Sequence, residues 1–455
     1  MKKMSCKFIY WGFVVLVSQS FLIQSPCALG SDFPPPLSLS AAISQAEENN
    51  PELNRLQAAA ERSSWGKLEA LSAHLPHLSV NYDHFFSSTY LRENVIFGGA
   101  GVSFPAAFPQ DNVTVNASIT LFDGFESIHK YRAADNNIEA LNFDLARAKF
   151  KLDETVRLAF FRSLAAQKLF EVAQQNVKTL EDHLARAHLT EHAGYGTRFE
   201  VLRIDATLEE AKAEREEAEN NIQLTRNALY EAMGMEKEES RHLSGELPVL
   251  TEADVPKDLV LHSNDREDLK AQQKRQAASE ELRLAAKGFW YPSVSLFAEQ
   301  QFYQFGNFDS AVQANSNFQS ASFMGFKLRW NLFDGGYSYA KAQESTQLTI
   351  ESENETKKIL LRLPQEFDSW KRKFYHSISL YRARMRALTQ YQESVRLAEI
   401  GVKAGSRTHT EMLDAELDLF RARGALVKTQ AEAIESLGNL ELAVGHKLVE
   451  TSAFH

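Results

Sequence analysis

The chain has 455 residues, with 50 Lys and Arg against 60 Asp and Glu, a formal charge of −10 and hydrophobic residues at 44%. An acidic balance of this size argues against nucleic acid as a partner. Beyond residue 30 no run approaches the roughly 18 apolar residues of a membrane-crossing helix, which excludes a helical inner-membrane protein and leaves any membrane role to strands.

Lys2, Lys3 and Lys7 precede the apolar run Phe8 to Ile23, and Ala28-Leu29-Gly30 follows it. That layout reads as a secretory signal peptide over residues 1–30, cleaved before Ser31. A single transmembrane anchor fits less well, because Ser18, Gln19 and Ser20 interrupt the apolar core. Cys27 follows Gln24-Ser25-Pro26, which lacks the Leu and small residues of a lipobox. Cleavage would remove both cysteines, Cys6 and Cys27, so the mature chain would use neither disulfides nor thiolate metal sites. It would also remove three lysines and no acid, leaving 47 basic against 60 acidic residues, a charge of −13.

The remainder reads as two copies of one unit, residues 31–250 and 251–455. Leu121-Phe122-Asp123-Gly124 recurs as Leu332-Phe333-Asp334-Gly335, an offset of 211 residues. Ala193-Gly194 with Glu200-Val201-Leu202 recurs as Ala404-Gly405 with Glu411-Met412-Leu413, and Ala232-Met233-Gly234 as Ala443-Val444-Gly445, in the same register. Upstream, Glu52-Leu53 and Leu75-Pro76-His77-Leu78 pair with Asp268-Leu269 and Tyr291-Pro292-Ser293-Val294 at 216. The first copy thus carries five extra residues between Pro76 and Leu121, where a loop is expected.

Each copy opens with a helical stretch, Leu39 to Leu71 and Leu259 to Ala286, rich in Ala, Glu, Gln and Leu. After the proline the period becomes two, giving β-hairpins over about 78–122 and 293–333. Val113, Val115, Ala117, Ile119 and Leu121 alternate with Thr114, Asn116, Ser118 and Thr120, and Met324, Phe326, Leu328, Trp330 and Leu332 with Phe323, Gly325, Lys327, Arg329 and Asn331. Beyond each Leu-Phe-Asp-Gly a helix is expected to about His192 and Lys403, with Ile138, Leu141, Leu145, Ala148 and Leu152 spaced as in a coiled-coil seam. Such a rod spans roughly 100 Å. Turns at about 193–197 and 404–408 lead into a returning helix of about 36 residues.

Four strands are too few to close a barrel with a lumen. Lipid tolerates no open sheet edge, so a greasy face turned to lipid requires protomers to pool strands; three give twelve. A soluble sheet packed on helices shows the same alternation.

The duplication, the Asn50-Pro51-Glu52-Leu53 and Leu75-Pro76 motifs, the two Leu-Phe-Asp-Gly strand ends and the Ala-Gly turns resemble the TolC outer-membrane efflux family over roughly residues 37–448. The resemblance implies a mixed α and β membrane protein. Long antiparallel coiled-coil helices would form a periplasmic α-barrel, continuous with a trimeric twelve-stranded transmembrane β-barrel in outer-membrane lipid. It implies a passive export conduit in a tripartite efflux or type I secretion system, working with a periplasmic adaptor (membrane fusion protein) and an inner-membrane pump. It implies no cofactor and no chemistry on the cargo. The alternative from the residues is a soluble periplasmic coiled-coil scaffold.

In this reading the helix-to-helix turns, with Gly194 and Gly405, form the periplasmic entrance. Ala404-Gly405-Ser406-Arg407-Thr408 resembles the family's entrance segment, where Arg407 matches the restraining arginine and Glu411 and Asp414 match the two constricting acids, Glu411 replacing Asp. Glu411 and Asp414 are three apart and can share a helix face, so three copies would bring six acids to one axis, a ring favouring cations. Glu200 holds the family position that pairs with the arginine, which implies a Glu200–Arg407 ion pair. Val402 stands where the family often has a Tyr, and Tyr195 is the candidate substitute.

Pro364 inside the second long helix predicts a kink or break. Lys327 and Arg329 fall on the polar strand face, either in the lumen or as a strand-end cluster. The run Glu209 to Glu219 reads as a solvated face with Lys212 four from Glu216 and Arg215 four from Glu219. His183, His188 and His192 read as surface residues, not a metal site. No phosphate loop, nucleophile elbow or zinc-helix motif appears, and no enzyme is expected.

Overall fold

The computed structural model describes residues 36–86, 91–97, 99–106, 110–236, 241–304 and 318–449; the expected signal peptide lies outside them. The first half holds α1 (Leu39–Asn49), α2 (Pro51–Ser72), β1 (His77–His84), β2 (Leu91–Phe97), β3 (Ala100–Ala106), β4 (Asp111–Phe122), α3 (Glu126–His192) and α4 (Arg198–Met233). The second holds α5 (Glu267–Ala285), β5 (Ser293–Gln304), β6 (Gln319–Arg329), α6 (Tyr337–Lys403) and α7 (His409–Val444).

The helix expected over 39–71 is two helices. Pro51 has no N–H with which to continue α1, and the extended Asn50 caps α2, its Oδ1 accepting from Glu52 N at 3.0 Å and Leu53 N at 3.3 Å. Asn50 Nδ2 also donates to the Ala232 carbonyl at 3.1 Å. There Gly234 ends α4 with φ of 70°, and a Cβ at Gly234 would stand 2.8 Å from Asn49 O and Asn50 Cα. The Asn-Pro and Ala-Met-Gly motifs are therefore two sides of one joint.

In the second half Arg266 takes the place of Asn50, and α5 begins at Glu267, later than the expected Leu259. Residues 259–266 form a loop with one tight turn, Ser263–Asp265. The buried Arg266 donates to Asp268 Oδ1 at 2.9 Å, Glu366 Oε2 at 3.0 Å and the Ala443 carbonyl at 3.3 Å, and its stem packs on Gly445. Neighbouring Glu366 and Asp268 satisfy a guanidinium that burial alone would disfavour.

Four strands make one antiparallel sheet in the order β1-β4-β5-β6, while β2 and β3 pair separately in the interval that the insertion marks. The registers align the greasy residues across all four strands. Leu78 lies opposite Ala117, Ala117 opposite Ala298 and Ala298 opposite Met324; Val80 follows with Val115, and Ile119 with Leu296 and Phe326. The other face carries Asn81, Thr114, Gln301 and their neighbours. On the edge strands the apolar residues stand in the open, Leu78 72% and Phe326 73% exposed. Lys327 and Arg329 lie opposite Ser295 and Ser293, on the polar face and at its helical end. The expected strand through Leu332 stops at Arg329, so Trp330 and Leu332 sit beyond it.

Asp123 and Asp334 close the strand-to-helix turns by accepting from the backbone N–H of Ser127 and Ser338, each at 3.0 Å, and from the hydroxyls. From there α3 and α6 run 67 residues each, and α4 and α7 return over 36 each. Helix α6 continues unbroken through Pro364. Pro364 faces solvent and the neighbouring Leu360 is 41% exposed, so water can satisfy the carbonyl that the proline leaves unbonded. No described helix is long and apolar enough to cross a membrane.

The main core gathers Phe160, Leu164, Leu229, Met233, Phe374, Ile378 and Leu440 where α1, α3, α4, α6 and α7 meet. A second cluster nearer the tips joins Leu180, Val201, Ile204 and Leu208 to Leu413. Both halves thus lean on each other through α3, which packs against α5 nearer the sheet and against α7 towards the tips.

Candidate functional site

The two helix-to-helix turns share one backbone pattern. Tyr195 N and Gly196 N both donate to the Thr190 carbonyl at 3.0 Å; Ser406 N and Arg407 N donate to the Gly401 carbonyl at 2.9 and 3.2 Å. Gly194 and Gly405 supply the left-handed residue at φ of 78° and 72°. Thr197 and Thr408 then cap the returning helices.

The side chains differ by an exchange of size. Gly196 occupies the place of Arg407, and Thr190 that of Gly401. A Cβ on Gly401 would lie 2.8 Å from Arg407 Cγ and Cδ, so the arginine stem rests on bare helix backbone.

Glu411 closes a capping box: its Oε2 accepts from Thr408 N at 2.8 Å and Thr408 Oγ1 at 3.2 Å. The longer side chain, which keeps the charge of the Asp it replaces, folds back on its own helix. That backbone bond, then the threonine hydroxyl and the Arg407 charge, hold its carboxyl below the usual range. Asp414 accepts from Arg203 Nη2 at 2.7 Å, a bond from α4 to α7. One of the two expected acids of the constriction is therefore paired with a base already within the protomer. Glu200 and Arg407 form no ion pair with each other among the described residues, and the expected latch is not made inside one chain. Tyr195 is 91% exposed and its hydroxyl makes no hydrogen bond among the described residues.

Sequence reasoning missed Arg203. Its signal was present, since Arg203 and Asp414 lie 211 apart and so hold one repeat position with opposite charges. It also misplaced His183, which is 8% exposed and stands with Nε2 2.5 Å from Glu416 Oε2 between α3 and α7. The neighbouring His188 stays near the surface, 3.7 Å from Glu191. On the solvated face of α4, Lys212 pairs with Glu209 at 2.7 Å and not with Glu216.

Comparison with known proteins gives a consistent picture. Residues 42–235 and 261–446 match the family described as outer membrane efflux protein. The outer membrane protein TolC of Vibrio cholerae is 22% identical over 414 residues, 90% of each chain. Among solved structures, the Campylobacter jejuni CmeC outer membrane channel superposes with a TM-score of 0.75 at 15% identity, covering 91% of this chain and 87% of that one. The open-state Neisseria gonorrhoeae MtrE outer membrane channel gives 0.72 at 22% identity, covering 90% and 89%. These structures share the fold of the sheet and its long helical hairpins.

Proposed function

This chain belongs to the outer membrane efflux protein family, an outer-membrane channel subunit of efflux systems, and we propose that three copies assemble into its working form. The observation that carries the trimer is the open sheet. Among the described residues β1 and β6 each leave one edge unpaired, and greasy rows run across all four strands from Leu78 through Ala117 and Ala298 to Met324, beside Ile119, Leu296 and Phe326. In lipid every backbone N–H and C=O must be satisfied, so β6 of one copy pairs with β1 of the next and twelve strands close. The polar face then lines water, with Lys327 and Arg329 at its periplasmic end. The rods continue as a periplasmic tunnel of six hairpins, and the turns at Gly194 and Gly405 form its mouth.

At that mouth Arg407, Glu411, Asp414 and Glu200 form the gate. Arg407 and Glu200, uncommitted to each other within a chain, are available to the neighbouring copies. Because exposed ion pairs contribute only about 0–1 kcal/mol each, the closed state is weakly held and a docking protein can release it. Arg407→Glu should raise the single-channel conductance of reconstituted protein in a planar bilayer. Wild-type conductance in that variant would remove Arg407 from the gate.

The partners of the mouth are a periplasmic adaptor and its inner-membrane pump. Ser406→Cys, fitted with a photocrosslinker in intact cells, should trap an adaptor whose mass identifies it. The expected signal peptide holds the natural cysteines, Cys6 and Cys27, so the label would be confined to the tip. A trapped product absent from the tip but present at a cysteine on the strands would contradict this orientation.

A further inference from the structure

We propose that each protomer contributes its Arg203 to the neighbouring protomer's Asp414 as well as to its own, so that three arginines and three aspartates alternate around the mouth and set its ion selectivity. The inference rests on the trimeric channel described above.

Arg203 and Asp414 occupy the same position of the two halves, 211 residues apart, yet their side chains bond at 2.7 Å. A contact between repeat-equivalent positions propagates. In a closed ring of six similar hairpins, each such position has one equivalent on either side. Asp414 therefore meets its own Arg203 on one flank and the neighbouring protomer's Arg203 on the other.

An independent observation points to the same neighbour. Leu413 is 3% exposed, buried in the apolar cluster that Leu180, Ala187, Val201 and Ile204 of the first hairpin form with it. Its equivalent Leu202 is 56% exposed, and Phe199 beside it 74%. One face is covered on α7 and bare on α4. Its matching cover is the second hairpin of another copy, which repeats between protomers the packing already made within one.

At this level the mouth is then a ring of alternating sign, not of six acids. Each carboxylate sits between two guanidinium groups, and the charge that would attract cations is offset where the passage narrows.

Channels of the full-length protein in a planar bilayer, under a potassium chloride gradient, test this. Arg203→Asp makes the ring wholly acidic, and the cation-to-anion permeability ratio should rise severalfold. Combining Arg203→Asp with Asp414→Arg restores the alternation and should restore the wild-type ratio. An unchanged ratio in the single variant, with normal wild-type current, overturns the alternating ring alone. Wild-type protein that carries no current strikes at the channel reading itself. Should Arg203→Asp not assemble, the pair Arg203→Cys and Asp414→Cys with a short bis-maleimide gives a second reading. Covalent dimers and trimers are expected, with none from either single variant; links confined to monomers would overturn the contact between copies.

Discussion

Replacing Arg157 by methionine should destabilise the helical body by about 3 to 5 kcal/mol, read as a lower melting temperature of the helical circular-dichroism signal. Glu154 and Glu441 are both fully buried and both bonded to Arg157, itself 4% exposed. Removing the base leaves two carboxylates out of water without the guanidinium that bonds both, and the Lys447 charge that also acts on Glu154 cannot replace it. Glu441 is further committed, because its Oε1 accepts from Leu448 N at 2.7 Å and Val449 N at 3.1 Å, pinning the chain beyond α7. Gly438 makes the space: a Cβ there would lie 3.1 Å from Glu154 Oε2. A variant that melts with the wild type would show the cluster to be dispensable.

Two acids on one base leave an excess negative charge, and Glu154 bears it. Burial pushes its carboxyl from the ordinary 4.5 up to about 7, against the pull of Arg157 and with the repulsion of Glu441. Since the folded-state value is raised, the folded chain holds this proton more tightly than the unfolded one. Its contribution is full below about pH 4.5 and is lost as pH rises through about 7, at ~3 kcal/mol in all. Glu154→Gln should therefore gain on the wild type as pH rises from 5 to 8. Melting temperatures of the two proteins across that range decide it; a constant difference would assign the titration elsewhere.

Gly124→Ala should cost about 2 to 5 kcal/mol, whereas Gly335→Ala should cost only about 1 to 2. Both glycines close a Leu-Phe-Asp-Gly turn with positive φ, 73° and 72°. A side chain at either meets the left-handed penalty. Only at Gly124 does it also collide, since a Cβ would stand 2.3 Å from the Gly288 carbonyl oxygen and 3.0 Å from Tyr291 Cβ. Nothing lies within 4 Å of a Cβ on Gly335. The two backbones between Gly124 and Gly288 are where β4 hands over to α3 and where α5 hands over to β5. Thermal melts of the two variants in detergent compare them directly. Equal losses would mean that a neighbouring copy encloses Gly335 as Gly288 encloses Gly124.

Much of the architecture was legible because its signals are local. Period-two alternation marked β4 and β6, the Leu-Phe-Asp-Gly ends marked the turns into α3 and α6, and the Ala-Gly pairs marked the tips, where glycine is needed for the left-handed backbone. The break between α1 and α2 was local too, in Asn50-Pro51, and was overlooked within a helix-rich composition. The late start of α5 was not local: Arg266 holds that corner through Glu366 and the Ala443 carbonyl, residues about 100 and 177 positions away.

The amino-acid sequence by itself determined the duplicated plan, the strand faces, the rod lengths and the chemical character of the tips, because each follows from periodicity, chain geometry or the backbone demands of a few residues. Only the tertiary structure decided which charges meet. Glu411 turned to its own helix end, Asp414 to Arg203, Arg157 to two buried acids and His183 to Glu416, since pairing depends on which helix faces bring side chains within a few ångströms and not on their spacing along the chain.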